Sequence, residues 1–166
     1  YLGWFVGMLL VFTIILAAFN RFMDPFDYYW GPLIQGVNAV KVKARRYERY
    51  VKPDILLRLQ PETVILGNSI AEIGFDPEGS VLKDRHAYNY ALLGAPWALV
   101  QCHALFAMQQ ASTRHIVLGL MPDAMPLVDC NAPGNAIQHA TTQRLLFSSE
   151  ALRAGFTTLM NQNRPN

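Results

Sequence analysis

TVILGNSIAEIGFDP, residues 63–77, decides the fold. A β-branched run breaks at Gly67-Asn68-Ser69 and passes into helical spacing, which reads as a buried strand turning directly into a helix. Ser69 then stands at the carboxyl edge of a sheet, where open α/β sheets hold their ligands. Two readings of it are open. As a nucleophile, its hydroxyl lies at the rim with helix amides behind it to stabilise developing negative charge. As a plain cap, Ser69 or Asn68 satisfies orphan amides, with Glu72 completing a capping box three positions after Ser69.

Working outward, residues 62–66 (ETVIL), 87–93 (AYNYALL) and 115–120 (HIVLGL) read as strands. Residues 97–110 are apolar nearly all round and predict a buried helix, with Pro96 suited to its first turn. Residues 121–143, rich in Pro, Gly, Asn and Asp, read as a long loop. A helix follows, capped by Ser148 or Ser149, with Leu152, Phe156, Leu159 and Met160 as its apolar stripe. Strands alternating with helices imply parallel βαβ units and an α/β class for residues 55–166.

The N-terminal region is of a different kind. Residues 2–19 form an uncharged apolar run that covers roughly 27 Å as a helix, close to the hydrocarbon thickness of a bilayer. Residues 1–20 are therefore read as a transmembrane helix, with membrane lipid as its partner. Phe22, Phe26, Tyr28, Tyr29 and Trp30 follow, an aromatic cluster suited to headgroup level. The chain opens on Tyr1, so residues are expected to precede it. Gly3 and Gly7 make a G-x-x-x-G that permits close helix–helix packing, which points to an integral-membrane protein partner.

Residues 21–54 read as a juxtamembrane linker carrying an amphipathic basic helix. Val37, Val40, Ala44, Tyr47 and Val51 form its apolar stripe, and Lys41, Lys43, Arg45, Arg46, Arg49 and Lys52 its charge. Such a helix lies either on anionic lipid or against its own domain. The cluster lies more than 20 residues beyond the apolar run, and as positive charge it votes weakly for a cytoplasmic side. A net charge of +2, without aromatic residues interleaved in a broad basic surface, gives no support to nucleic-acid binding. No metal-ligand spacing, P-loop or dinucleotide fingerprint occurs, so no cofactor or metal is expected. Of the two cysteines, Cys102 reads as a buried thiol on the apolar helix; Cys130, in the long loop, is able to pair with it only in an oxidising compartment.

The blocks VILGNSIAEIGFDP, YNYALLGAP and HIVLGL together resemble the opening half of an SGNH/GDSL-type hydrolase domain, over residues 55–125. More narrowly, the chain is similar to membrane-anchored SGNH-like proteins of the bacterial cell envelope, such as those of D-alanyl transfer and alginate acetylation. The resemblance implies a partial flavodoxin-like domain, a three-layer parallel sheet, outside the cytoplasm. It implies single-pass anchoring in the inner membrane, against the charge vote. It also implies ester hydrolysis or acyl transfer through an acyl-serine, with Ser69 as nucleophile and the Ser69 and Gly94 amides holding the oxyanion. Its partners would be an acyl donor and an envelope glycan or lipid.

Departures from that pattern are specific. The third strand runs into Leu120-Met121-Pro122-Asp123, with no Asn to act as a further oxyanion donor. A serine hydroxyl needs a base. His86 precedes the second strand; seven strand residues at about 3.3 Å each put it on the opposite edge from Ser69, roughly 20 Å away. His115 begins a strand at that same edge, and His103 lies on the buried helix; both read as structural. His139 is the remaining candidate base. The Asp-x-x-His element of the family comes late in a longer domain, so two expectations stand: a longer natural chain that supplies it, or a shortened, non-catalytic accessory subunit of a larger membrane complex.

Overall fold

The structure, a computed structural model, describes residues 1–41, 43–120 and 126–162. The chain forms two compact units, Glu48–His139 and a second made of Tyr1–Tyr47 with the chain from Ala140 onward.

Glu48–His139 is a mixed α/β unit built on three parallel strands, β1 (Thr63–Leu66), β2 (Ala87–Asn89) and β3 (His115–Leu118), in the order β2-β1-β3. Thr63 is in register with both Ala87 and His115, so all three strands begin at one edge. Helix α2 (Ala44–Leu59) leads into β1, α3 (Ser69–Gly74) joins β1 to β2, and α4 (Trp97–Met108) joins β2 to β3; α1 (Leu2–Met23) belongs to the other unit. Alternation along the strands separates two faces. Val64 and Leu66 pack with Tyr90, Leu56 of α2 and Ala107 of α4 on one. On the other, Asn89 donates to the Glu72 and Phe75 carbonyls and ties down the end of α3. The first crossover moves outward from β1 to β2 and the second passes back over β1 to β3, so the chain reverses direction at the β1–β3 crevice.

The paired part of the second strand is shorter than residues 87–93, although Tyr90 N–H to Ile65 O and Leu92 N–H to Gly67 O carry its path along β1. Helix α2 departs further from expectation. It runs Ala44–Leu59 with Pro53 inside it, where the sequence places the end of one segment and the start of the next. Pro53 removes one helical hydrogen bond, but Val51, Pro53, Ile55 and Leu56 are all buried, and that burial outweighs the local propensity.

The strand-to-helix turn depends on glycine. Gly67 has φ 149°, and a Cβ there would meet Ala71 Cβ at 2.6 Å and Gly119 O at 2.9 Å. Gly67→Ala is expected to destabilise the unit by about 3 kcal/mol through overpacking against backbone and a disfavoured φ, read as a lowered urea midpoint with unchanged slope. An unchanged midpoint would show that the turn relaxes freely.

The other unit opens with α1 (Leu2–Met23), a single N-terminal apolar helix long enough to cross a membrane and without burial along its apolar window. Asp24 ends it in a left-handed conformation, and its carboxylate accepts the Tyr28, Tyr29 and Trp30 amides. Asn38, fully buried, accepts from the Ile34 amide and donates to the Phe22 and Pro32 carbonyls; Lys41 Nζ donates to Met23 O at 2.8 Å. Residues 24–41, the first part of the stretch read as a linker, thus fold onto the end of α1. Helix α5 (Ser149–Met160), preceded by a π-helical turn (Gln143–Phe147), packs on the same end. Ser148 caps α5 by accepting from Ala151 N–H.

Candidate functional site

Asn68, not Ser69, caps α3: its side-chain oxygen accepts from Ile70 N–H at 3.0 Å. Ser69 is the first helical residue, half-buried, and its hydroxyl makes no hydrogen bond among the described residues. The box expected between Ser69 and Glu72 does not form, because Glu72 turns instead to Lys52 of α2, at 3.9 Å. That leaves Ser69 at the carboxyl edge of β1, beside the crevice where the topology reverses, with its hydroxyl unbonded among the described residues.

Gly94 lies at the same edge, beyond β2. It is the third residue of a turn closed by Ala95 N–H to Leu92 O, and its φ of 66° is a left-handed conformation that glycine adopts without strain. Two side chains of α2, one helical turn apart, hold this turn. Glu48 Oε2 accepts from Leu93 N–H at 3.2 Å, and Lys52 Nζ donates to the Ala91 carbonyl. Lys52 also lies 3.8 Å from Glu48 and, through Glu72, reaches the helix that Ser69 opens. One cation and two carboxylates therefore tie the Ser69 helix to the Gly94 turn.

Electrostatics at this junction are unusual for a sheet edge. Burial, the hydrogen bond shared with Glu72 and that carboxylate's charge push the Glu48 carboxyl up to about 7, against the pull of Lys52 and the Leu93 amide. Glu72 Oε2, on the carboxylate that faces Glu48, is buried and accepts no other hydrogen bond among the described residues. Sequence reading passed over this group: Glu48 sat within a basic helix, 24 residues from its partner, and only the fold brings them together.

The histidines divide as follows. His86 and His115 lie at the amino edge of the sheet, away from Ser69. His103 is completely buried; its Nδ1 is 2.8 Å from the Tyr90 hydroxyl, and burial with Arg49 and Lys52 nearby lowers its pKa to about 4, so the ring is neutral. His139 is not brought to Ser69. Its Nδ1 pairs with Asp54 of α2 and its ring meets Phe106 edge-on at 6.0 Å, nine residues or roughly 14 Å along α4 from the end nearest Gly94.

The reason lies in a bond that composition could not establish. Cys102 is not a free buried thiol; it forms a disulfide with Cys130, Cα to Cα 5.3 Å. The bond fastens the long loop to the middle of α4, Arg49 holds the same loop at the Gly134 carbonyl, and His139 is carried away from the carboxyl edge. Residues 121–125, which directly follow Leu120 beyond β3, lie outside the described residues, and with them the Met121-Pro122-Asp123 part of the expected departure.

Gly3 and Gly7 lie on an open face of α1, with no atom within 4 Å of either added Cβ. Among the described residues no cluster of three metal-ligating side chains occurs. Comparison of the chain with protein-family models, with curated proteins and with solved structures gives no match in any of the three.

Proposed function

We propose that the protein is a membrane-anchored serine esterase or O-acyltransferase of SGNH-like architecture, working outside the cytoplasm on an envelope glycan or lipid. The observation that carries this reading is the release of Ser69 from capping by Asn68, at the crevice where the sheet reverses direction. Ser69 Oγ attacks the acyl carbonyl while the Ser69 and Gly94 amides hold the oxyanion; the donor's acyl–oxygen bond breaks, its alcohol leaves with the serine proton, and water or a glycan hydroxyl then takes the acyl group from Ser69. Ile70, Ile73 and Leu93, all exposed, flank these two residues and suit an acyl chain. The disulfide supports an oxidising compartment, and the length and apolarity of α1 support anchoring in the inner membrane.

Among the described residues no histidine reaches Ser69, and the group at this edge that exchanges a proton near neutral pH is Glu48. The test is to treat the full natural protein in membranes with a fluorophosphonate probe and an activated ester. Wild type is expected to carry the adduct on Ser69 and to turn over the ester; Ser69→Ala, with an unchanged circular dichroism spectrum, loses both. Equal turnover in the variant, or no adduct in wild type, would overturn the reading. A non-catalytic subunit is the second reading, favoured by the open Gly3–Gly7 face of α1; it expects co-purification with a larger membrane protein and no adduct.

A further inference from the structure

The unit that contains α1 also holds a basic cavity that the proposed chemistry does not use. Its volume is about 450 Å³, between the start of α2 and the first turns of α5. Lys43, Arg46 and Arg153 line it, with Ser149 as a hydroxyl donor and Glu150 as the one carboxylate; the Thr157 hydroxyl, also in the lining, donates to the Arg153 carbonyl. Among the described residues none of the three cations is in an ion pair. Three positive charges against one negative, with the Ser149 hydroxyl in the same lining, match a phosphate group.

Depth and a second feature identify where that phosphate comes from. Gly155 is small because Phe19 of α1 occupies the space: an added Cβ would lie 2.8 Å from its ring. The Phe156 ring meets Phe19 at a tilt, centroids 5.0 Å apart, and Asn20 Nδ2 donates to Leu146 O just before α5. Helix α5 therefore sits against the last turn of α1, four residues or about 6 Å from its end. On the reading of α1 as a membrane span, that is headgroup depth. Beside the stripe at 149, 153 and 157, which faces the cavity, α5 carries Phe156, Leu159 and Met160, exposed by 52%, 38% and 82%. An exposed apolar stripe beside a polar stripe that carries Arg153, continuous with an apolar helix, suits a helix lying in a membrane interface.

We infer that α5 lies in the membrane interface and that the cavity of Lys43, Arg46 and Arg153 holds the phosphate of an anionic phospholipid. The site is independent of Ser69 and stands whether or not the protein is an enzyme. Native mass spectrometry of the full protein in detergent, with added phosphatidylglycerol, phosphatidylcholine or glycerol phosphate, tests it. Phosphatidylglycerol is expected to be retained over phosphatidylcholine. Each cation near an anionic headgroup contributes roughly fivefold, so the variant K43Q/R46Q/R153Q, altered only at the cavity's cationic side chains, loses roughly a hundredfold of that retention. Met160→Ser, at a position too exposed to disturb folding, weakens phosphatidylglycerol and leaves glycerol phosphate unaffected. Equal retention of the two lipids, unchanged retention in the triple variant, or displacement of lipid by equimolar glycerol phosphate would overturn the assignment.

Discussion

Replacing Cys130 by Ser is expected to destabilise Glu48–His139 by about 3–4 kcal/mol, the chain-entropy value for a loop closed across a separation of 28 residues. For a unit of this size the unfolding temperature then falls by roughly 15 °C or more. The loss is larger than an entropy argument alone gives if the loop detaches in the native state, because the contacts of Arg49 with Gly134 and of His139 with Asp54 both depend on where the bond holds it. Thermal unfolding by near-ultraviolet circular dichroism, with and without reductant, separates the cases. Reductant should bring wild type to the temperature of Cys130→Ser and leave the variant where it is; a shift below a few degrees would mean that the loop is held by its other contacts.

Much of this architecture was legible in the chain because it rests on local pattern. The strand-glycine-helix sequence at residues 63–77, the apolar run of α1 and the stripe of α5 each read directly from periodicity, and each element is present. What misled was decided by tertiary contact. Pro53 looked like a boundary, yet it is buried on the packed face of α2. Ser69 and Asn68 were interchangeable as caps by residue type; one backbone setting gave the bond to Asn68. His139 fell on the correct side by its position after the third strand, but a loop has no direction until something fastens it, and Cys102–Cys130 fastens this one along α4. The Glu48–Lys52–Glu72 junction was invisible for the same reason: Glu48 and Lys52 lie on α2 and Glu72 on α3, and in sequence Lys52 read as part of a basic helix and Glu72 as part of a capping box.

That junction and His103 give the protein a pH response that is expected to be nearly flat in wild type and to split in opposite directions when either is removed. The Glu48 carboxyl, with an ordinary value of 4.5, stands at about 7 in the folded chain. Between those values folding takes up a proton, so its contribution worsens as pH rises from 4.5 and is fully unfavourable above 7. His103 works the other way. Its ordinary value of 6.5 is lowered to about 4 by burial and by Arg49 and Lys52, so stability is intact above pH 6.5 and is lost as pH falls toward 4. Over the shared window from 4.5 to 6.5 the two slopes oppose each other. Glu48→Gln keeps the His103 limb alone: stability should rise by about 3 kcal/mol from pH 4 to 6.5 and then level. His103→Phe keeps the Glu48 limb: after a constant loss from the unpaired Tyr90 hydroxyl, stability should fall by about 2 kcal/mol from pH 4.5 to 7, solvent screening making this limb the smaller. Urea unfolding of the two single variants and the double variant across this range measures both slopes. A double variant as flat as wild type, between two singles of opposite slope, is the expected pattern; parallel curves displaced without change of slope would mean that neither group titrates where its surroundings place it.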